Sequence, residues 1–197
     1  MTSGASVVSA HSVAEAFFYL MARTCHRCGA GPLKPTGGLT KTTDPKAPWR
    51  LIGRCPKCAT DETFHFLIVP PPTRAEAESN VVNPTTEASK AIDLLGWLTL
   101  FQSVLSSAER MTDKQAARQL AHESTMCLDE ALKFYGPGEE LPGPEAFFSS
   151  ASRQRFLDHP QQFAKSKWMD RRSKLPVVAT SEPAPPPRKR RWWPFGS

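Results

Sequence analysis

Five cysteines occur in this 197-residue chain: Cys25, Cys28, Cys55, Cys58 and Cys127. The first four form two C-x2-C pairs separated by 26 residues, and each pair is followed by a small residue, Gly29 or Ala59. A two-residue gap lets both thiolates of one turn point at a single ion about 2.3 Å away, while backbone N–H groups of the turn donate to the sulfurs. Two such turns complete a tetrahedron for zinc. A sphere of four sulfurs has no open position, so the expected cofactor is a structural Zn2+ held by Cys25, Cys28, Cys55 and Cys58. Three other readings compete. A pair of disulfides is disfavoured by the lack of a secretion signal. A redox C-x-x-C leaves the second pair without a purpose, and an iron–sulfur cluster suits a β-hairpin context less well than zinc does.

The layout of Cys25, Cys28, Cys55 and Cys58 resembles the zinc-ribbon family, in which two such knuckles sit on short β-hairpins. The resemblance covers residues 23–69 and implies a fold and a metal. It implies no single activity, because zinc ribbons serve nucleic-acid binding, protein docking and plain bracing. The long loop between the knuckles departs mildly from the family. His26 and His65 lie near the ligands in sequence and read as surface residues or residues just outside the coordination sphere. Cys127 sits on the apolar stripe of a helix and reads as a small core residue.

The elements that must position the knuckles follow from periodicity. Residues 1–10 are small and polar, without a burial pattern, and are expected to fray. Ser12, with Glu15 three positions on, caps a short helix that runs to about Met21 and straight into the first pair. Strands are expected over 49–54 and 63–69, with Phe64, Phe66 and Ile68 on one face, until Pro70, Pro71 and Pro72 end the ladder. After a linker over 70–82, Asn83-Pro84 signals a helix start. Leu94, Leu98, Phe101 and Leu105 keep one face of that helix apolar, and Gly96 inside it is expected to permit a close helix contact. Thr112-Asp113-Lys114-Gln115 reads as a capping box opening a second helix, which Gly136-Pro137-Gly138 ends. Two shorter helices are expected near 145–156 and 160–172. The helical part, through Asn83-Pro84-Thr85 and Leu132-Lys133-Phe134-Tyr135, also resembles uncharacterised bacterial proteins, a resemblance that implies no function.

The fold class expected is therefore α+β, in five segments: an N-terminal segment and helix over 1–22, a ribbon over 23–69, a linker over 70–82, a helical domain over 83–175 and a tail over 176–197. The tail holds six prolines and ends in Arg188-Lys189-Arg190-Arg191-Trp192-Trp193-Pro194-Phe195. It is expected to be disordered or polyproline-like, with Arg188, Lys189, Arg190, Arg191, Trp192, Trp193 and Phe195 as a docking motif. Each basic residue contributes about 1 kcal/mol at most near an anionic bilayer, so a membrane contact through the tail would be weak and reversible.

The net charge of +6 divides into +4 over residues 1–73, −2 over 74–173 and +4 over 174–197. A chain that is 40% hydrophobic and 22% charged is not an acidic solvating polymer, and its basic pI says nothing about the faintly acidic middle. No stretch approaches the 18 or so apolar residues of a bilayer span, so a cytoplasmic location is expected. Arg23, Arg27, Arg50, Arg54 and Lys57 surround the ribbon. They read first as cations offsetting the −2 charge of a zinc–tetrathiolate site, and second as a phosphate-binding face with Trp49 or Phe64 stacking on bases.

Catalytic spacings fail on inspection. Gly29-Ala30-Gly31-Pro32-Leu33-Lys34 lacks the phosphate-loop pattern, and His122-Glu123 lacks its second histidine because Met126 stands there. Asp129-Glu130 and Glu139-Glu140 read as solvated surface pairs. The expectation is a non-catalytic adaptor or accessory subunit docking on a protein partner, without a small-molecule substrate. The alternative is a nucleic-acid-binding regulator using the ribbon and the tail.

Overall fold

The computed structural model describes residues 7–44, 46, 48–69 and 81–175. Ser12 caps the first helix as its spacing demands, its hydroxyl accepting from the Glu15 N–H at 3.0 Å. This helix, α1 (Val13–Met21), buries every residue from 13 to 20. A helix apolar nearly all round must be covered on more than one side. On one side Tyr19 meets Phe64 and Phe66 edge-on, with ring centroids 5.6 and 5.5 Å apart. On another, Phe18 lies 5.8 Å from the indole of Trp97.

Phe64 and Phe66 belong to a five-stranded sheet of β1 (Val7–Ala10), β2 (Lys34–Pro35), β3 (Thr40–Lys41), β4 (Trp49–Arg54) and β5 (Asp61–Ile68). Its order is β1-β5-β4-β2, with β3 also on β4. The central hairpin pairs Leu51 with Phe64 and Trp49 with Phe66, so the period of two sends these residues to the side covered by α1. Gly53 lets α1 approach closely, since a Cβ there would lie 3.1 Å from Leu20 and 3.2 Å from Leu33. The frayed start expected over 1–10 is corrected for residues 7–10. They form β1, parallel to β5 with Val8 opposite Phe66, a long-range pairing that four residues of local pattern do not reveal.

Four further helices follow: α2 (Leu94–Arg110), α3 (Lys114–Leu132), α4 (Ser150–Asp158) and α5 (Lys165–Ser173), with 3-10 turns at Pro144–Ala146 and Pro160–Phe163. The α+β class is as expected, but two helix starts are not. Asn83 does not open a helix: its side chain takes the N–H and hydroxyl of Thr85 and donates to the Glu87 carbonyl. Such local bonding holds residues 81–93 irregular. The helix begins instead after Asp93, whose carboxylate caps the Gly96 N–H at 2.8 Å. A Cβ at Gly96 would sit 2.7 Å from Ile92, while Ala22 of the α1 end is 4.0 Å away, so the tight contact is local rather than between helices. In the second helix the cap is Asp113, not Thr112.

One buried apolar cluster contains Ala10, Phe17, Leu20, Leu51, Phe66 and Ile68 together with Trp97, Phe101, Leu128, Phe147 and Phe163. Cys127 is fully buried within it, as expected. No helix among the described residues is long and apolar enough to cross a membrane. The tail residues Arg188, Lys189, Arg190, Arg191, Trp192, Trp193 and Phe195, and most of the 70–82 linker, lie outside the described residues.

Of the two acidic pairs, Glu139 and Glu140 are exposed, as expected, whereas Asp129-Glu130 departs from expectation: Asp129 pairs with Arg172. Glu130 is 5% exposed; it accepts from Lys133 at 2.8 Å and from Asn83 at 3.2 Å. Lys133 in turn donates to the carbonyls of Asn83 and Thr85, and Ser12 to the carbonyl of Val82, so the loop following the linker is fastened to both α3 and α1. Burial pushes the Glu130 carboxyl up to about 7, against the pull of Lys133 and Asn83, and the Glu15 carboxyl on α1 adds to the rise. Glu15 is itself fully buried, with one oxygen taken by His11 and the other, Oε1, without a partner.

A carboxyl whose pKa rises on folding stabilises the protein at low pH and loses that contribution as pH climbs from the unfolded value toward 7. The native protein should therefore lose roughly 2 kcal/mol relative to Glu130→Gln between pH 5 and pH 7.5, measured by urea unfolding. Parallel stability curves for the two proteins would contradict this account.

Candidate metal centre

The two knuckles are built alike. In the first, the Cys25 N–H donates to the Ala30 carbonyl at 2.7 Å and the Gly29 N–H to the Cys25 carbonyl at 2.8 Å. In the second, the Cys55 N–H donates to the Thr60 carbonyl at 2.9 Å and the Ala59 N–H to the Cys55 carbonyl at 3.1 Å. Closing so tight a turn requires a left-handed residue four places after the first cysteine. Gly29 has φ 69° and Ala59 has φ 56°. That requirement is the physical reason for the small residue after each pair.

The turns aim backbone N–H groups at the sulfurs. The N–H groups of Lys57 and Cys58 lie 3.4 and 3.5 Å from the Cys55 Sγ. The N–H groups of Arg27 and Cys28 address Cys25, and that of Ala30 addresses Cys28. The Thr60 hydroxyl is 3.2 Å from the Cys58 Sγ. Together with the Thr60 N–H, it lowers the Cys58 thiol to about 6, while burial pushes the Cys25 thiol up to about 12.

Across the knuckles, Cys25 and Cys58 approach to 3.6 Å and Cys28 and Cys55 to 3.5 Å, and all four sulfurs lie within 4.8 Å of one another. Sulfurs bound at 2.3 Å around a tetrahedral ion stand about 3.8 Å apart. The cluster thus has the size of a four-sulfur coordination sphere, and it could hold one metal ion. Cys25 and Cys55 are buried and Cys28 and Cys58 half-buried, with Leu33 packed beneath them.

A second grouping shares Cys25 with His26 and Glu62. The Glu62 carboxylate accepts from the His26 N–H at 2.9 Å and meets its ring Nδ1 at 3.0 Å. Burial alone would raise the Glu62 carboxyl, but these bonds hold it below its usual range. His26 therefore stands just outside the four sulfurs, as expected. Glu62 had no signal in the sequence, because only the β4–β5 register carries it beside the first knuckle. His65 lies away from the cluster, opposite Arg50 in the hairpin and Val7 in β1.

The basic and aromatic residues around the ribbon divide between the core and the surface. Trp49 and Phe64 pack against the apolar core. The Arg23 guanidinium sits over the Tyr19 ring at 5.3 Å, and Arg54 pairs with Asp61 at 2.7 Å. Arg27, Arg50 and Lys57 are exposed.

No protein-family model, no curated protein and no solved structure matches this chain. What the fold and site define is an α+β protein organised beside a four-cysteine cluster of metal-binding dimensions.

The left-handed turn residues give a direct test. Nothing lies within 4 Å of a Cβ at Gly29, so only its φ opposes a side chain there. Gly29→Ala should cost about 1 kcal/mol, and Ala59→Gly should gain somewhat less, because glycine also loosens the unfolded chain. Metal competition with a chromophoric chelator should rank the affinities as Ala59→Gly, native, Gly29→Ala. Any other order would refute the turn argument.

Proposed function

We propose that this chain is a zinc-braced, non-catalytic adaptor or accessory subunit that docks on a protein partner, with Arg188, Lys189, Arg190, Arg191, Trp192, Trp193 and Phe195 forming a separate docking motif. The observation that carries the reading is the four-sulfur cluster itself. Soft thiolates in a tetrahedral set select zinc over harder divalent ions, and four of them leave no site for substrate or water. The metal's work is then to tie turns 30 residues apart in the chain, and the zinc-ribbon likeness of residues 23–69 is a likeness of scaffold.

The inward packing of Trp49 and Phe64 and the pairing of Arg54 favour protein docking over the alternative, nucleic-acid binding through the ribbon. A nucleic-acid regulator would show affinity falling by about 0.9 log units per log unit of salt for each phosphate neutralised.

Purified protein should carry one zinc per chain by elemental analysis. Cys28→Ser or chelation should abolish binding and the ordered near-ultraviolet signal of the ribbon together. A chain that keeps its tertiary signal after metal removal would overturn the structural role. Deleting residues 183–197 should remove one partner from affinity-purified complexes while shifting Tm by less than about 2 °C, the scale of a surface change in a chain this size. An unchanged set of partners would defeat the docking role of the tail.

A further inference from the structure

The Glu62 side chain is placed by register rather than by its neighbours in sequence. Strand β5 pairs Glu62 with Gly53 of β4. This carries its carboxylate to the first knuckle, where it accepts from the His26 N–H at 2.9 Å and meets the His26 Nδ1 at 3.0 Å. The Cys25 thiol addresses the same carboxylate. The ligand atoms of Cys25, His26 and Glu62 therefore lie within 4.8 Å of one another, beside the four-sulfur cluster and sharing one member with it.

Thiolate, imidazole and carboxylate are all ordinary ligands of zinc. A nitrogen and an oxygen held at about 2.0 Å around a tetrahedral ion stand roughly 3.3 Å apart, close to the 3.0 Å between His26 Nδ1 and Glu62 Oε1. Electrostatics favours a cation there. When a divalent ion takes all four sulfurs, Cys25 is a thiolate and has no proton to share with Glu62. Four thiolates around such an ion keep two negative charges, and the Glu62 carboxylate adds another at close range. The Glu62 side chain is only 14% exposed, so water offsets that charge poorly, and its ion partner is the His26 ring.

We infer that Cys25, His26 and Glu62 form a second divalent-metal site, weaker than the first and joined to it through the Cys25 thiolate. A mixed set of sulfur, nitrogen and oxygen suits zinc or cobalt and disfavours magnesium or calcium. Three protein ligands leave a fourth position open, and the His26 side chain is 69% exposed. The second ion is therefore exchangeable and leaves on dialysis, whereas the enclosed one stays. This inference rests on the four-sulfur reading above, because it borrows a thiolate of that cluster.

The test uses the full chain carrying its first zinc. Equilibrium dialysis against rising free Zn2+, followed by elemental analysis, should take the count from one ion per chain to two. His26→Ala and Glu62→Gln should each weaken the second ion at least about tenfold, since even an outer partner of a metal ligand is worth that much. Both should leave the first ion and the near-ultraviolet circular dichroism unchanged. His159→Ala, at an exposed histidine elsewhere, should change neither ion. Co2+ given to the one-zinc chain should produce a thiolate-to-cobalt charge-transfer band, the signature of the shared sulfur, and excess Mg2+ should not remove it. The inference fails if the count stays at one up to free Zn2+ on the order of 1 mM, the weak end of specific affinity. It fails also if both variants take up the second ion as the native chain does, or if cobalt binds without the sulfur band. A chain that holds no metal at any concentration would overturn the four-sulfur reading, and this inference with it.

Discussion

The burial of α1 is the constraint on which the other elements depend. Eight consecutive residues of this nine-residue helix are out of solvent, which no single partner surface can achieve. The sheet covers one flank through Phe64, Phe66 and Gly53, and α2 covers another through Trp97. Removing an aromatic from such a position costs about 3–5 kcal/mol, a large share of the 5–15 kcal/mol that separates folded from unfolded states. Because α1 is too short to persist alone, its helicity and the placement of both its neighbours arise together. The apolar cluster running from Ala10 to Phe163 is the consequence.

The four-cysteine cluster meets the same helix at its other end. Ala22 closes α1, the Arg23 carbonyl takes the Leu33 N–H, and Cys25 follows at once. An ion joining Cys25 and Cys28 to Cys55 and Cys58 would therefore link the end of α1 to the β4–β5 hairpin on which α1 lies. Metal binding and burial of α1 then favour the same chain path. That consistency supports a bracing role for the metal more strongly than the count of thiolates does.

A polar seam runs through this largely apolar arrangement. Glu15, Glu130, Asn83 and Lys133 meet where the loop over 81–87 crosses α1 and α3. Burying carboxyl groups is costly, and here Glu15 Oε1 and Trp97 Nε1 stay without partners. Polar groups in a core define one way for the pieces to meet where apolar contacts would tolerate several. At this junction the ribbon side of the chain joins the helical side, so a specific fit has structural value there.

Local chemistry alone determined a good deal of this protein. The knuckle spacing of Cys25, Cys28, Cys55 and Cys58, the Ser12 cap, the hairpin strands with Phe64, Phe66 and Ile68 inward and the stripe that buries Cys127 all depend on neighbours within a few residues, and all are legible in the chain. Features made by contact between distant segments were decided only by the tertiary structure. Strand β1 exists because β5 offers it an edge. The loop that Asn83 turns through its own bonds to Thr85 and Glu87 is docked by Glu130 and Lys133, and Glu130, which looks solvated beside Asp129, is buried by that same loop. Glu62 reaches the first knuckle through the register of β4 on β5. Periodicity and spacing encode short-range geometry, whereas burial of a charged group or the closure of a site depends on what the rest of the chain brings to it.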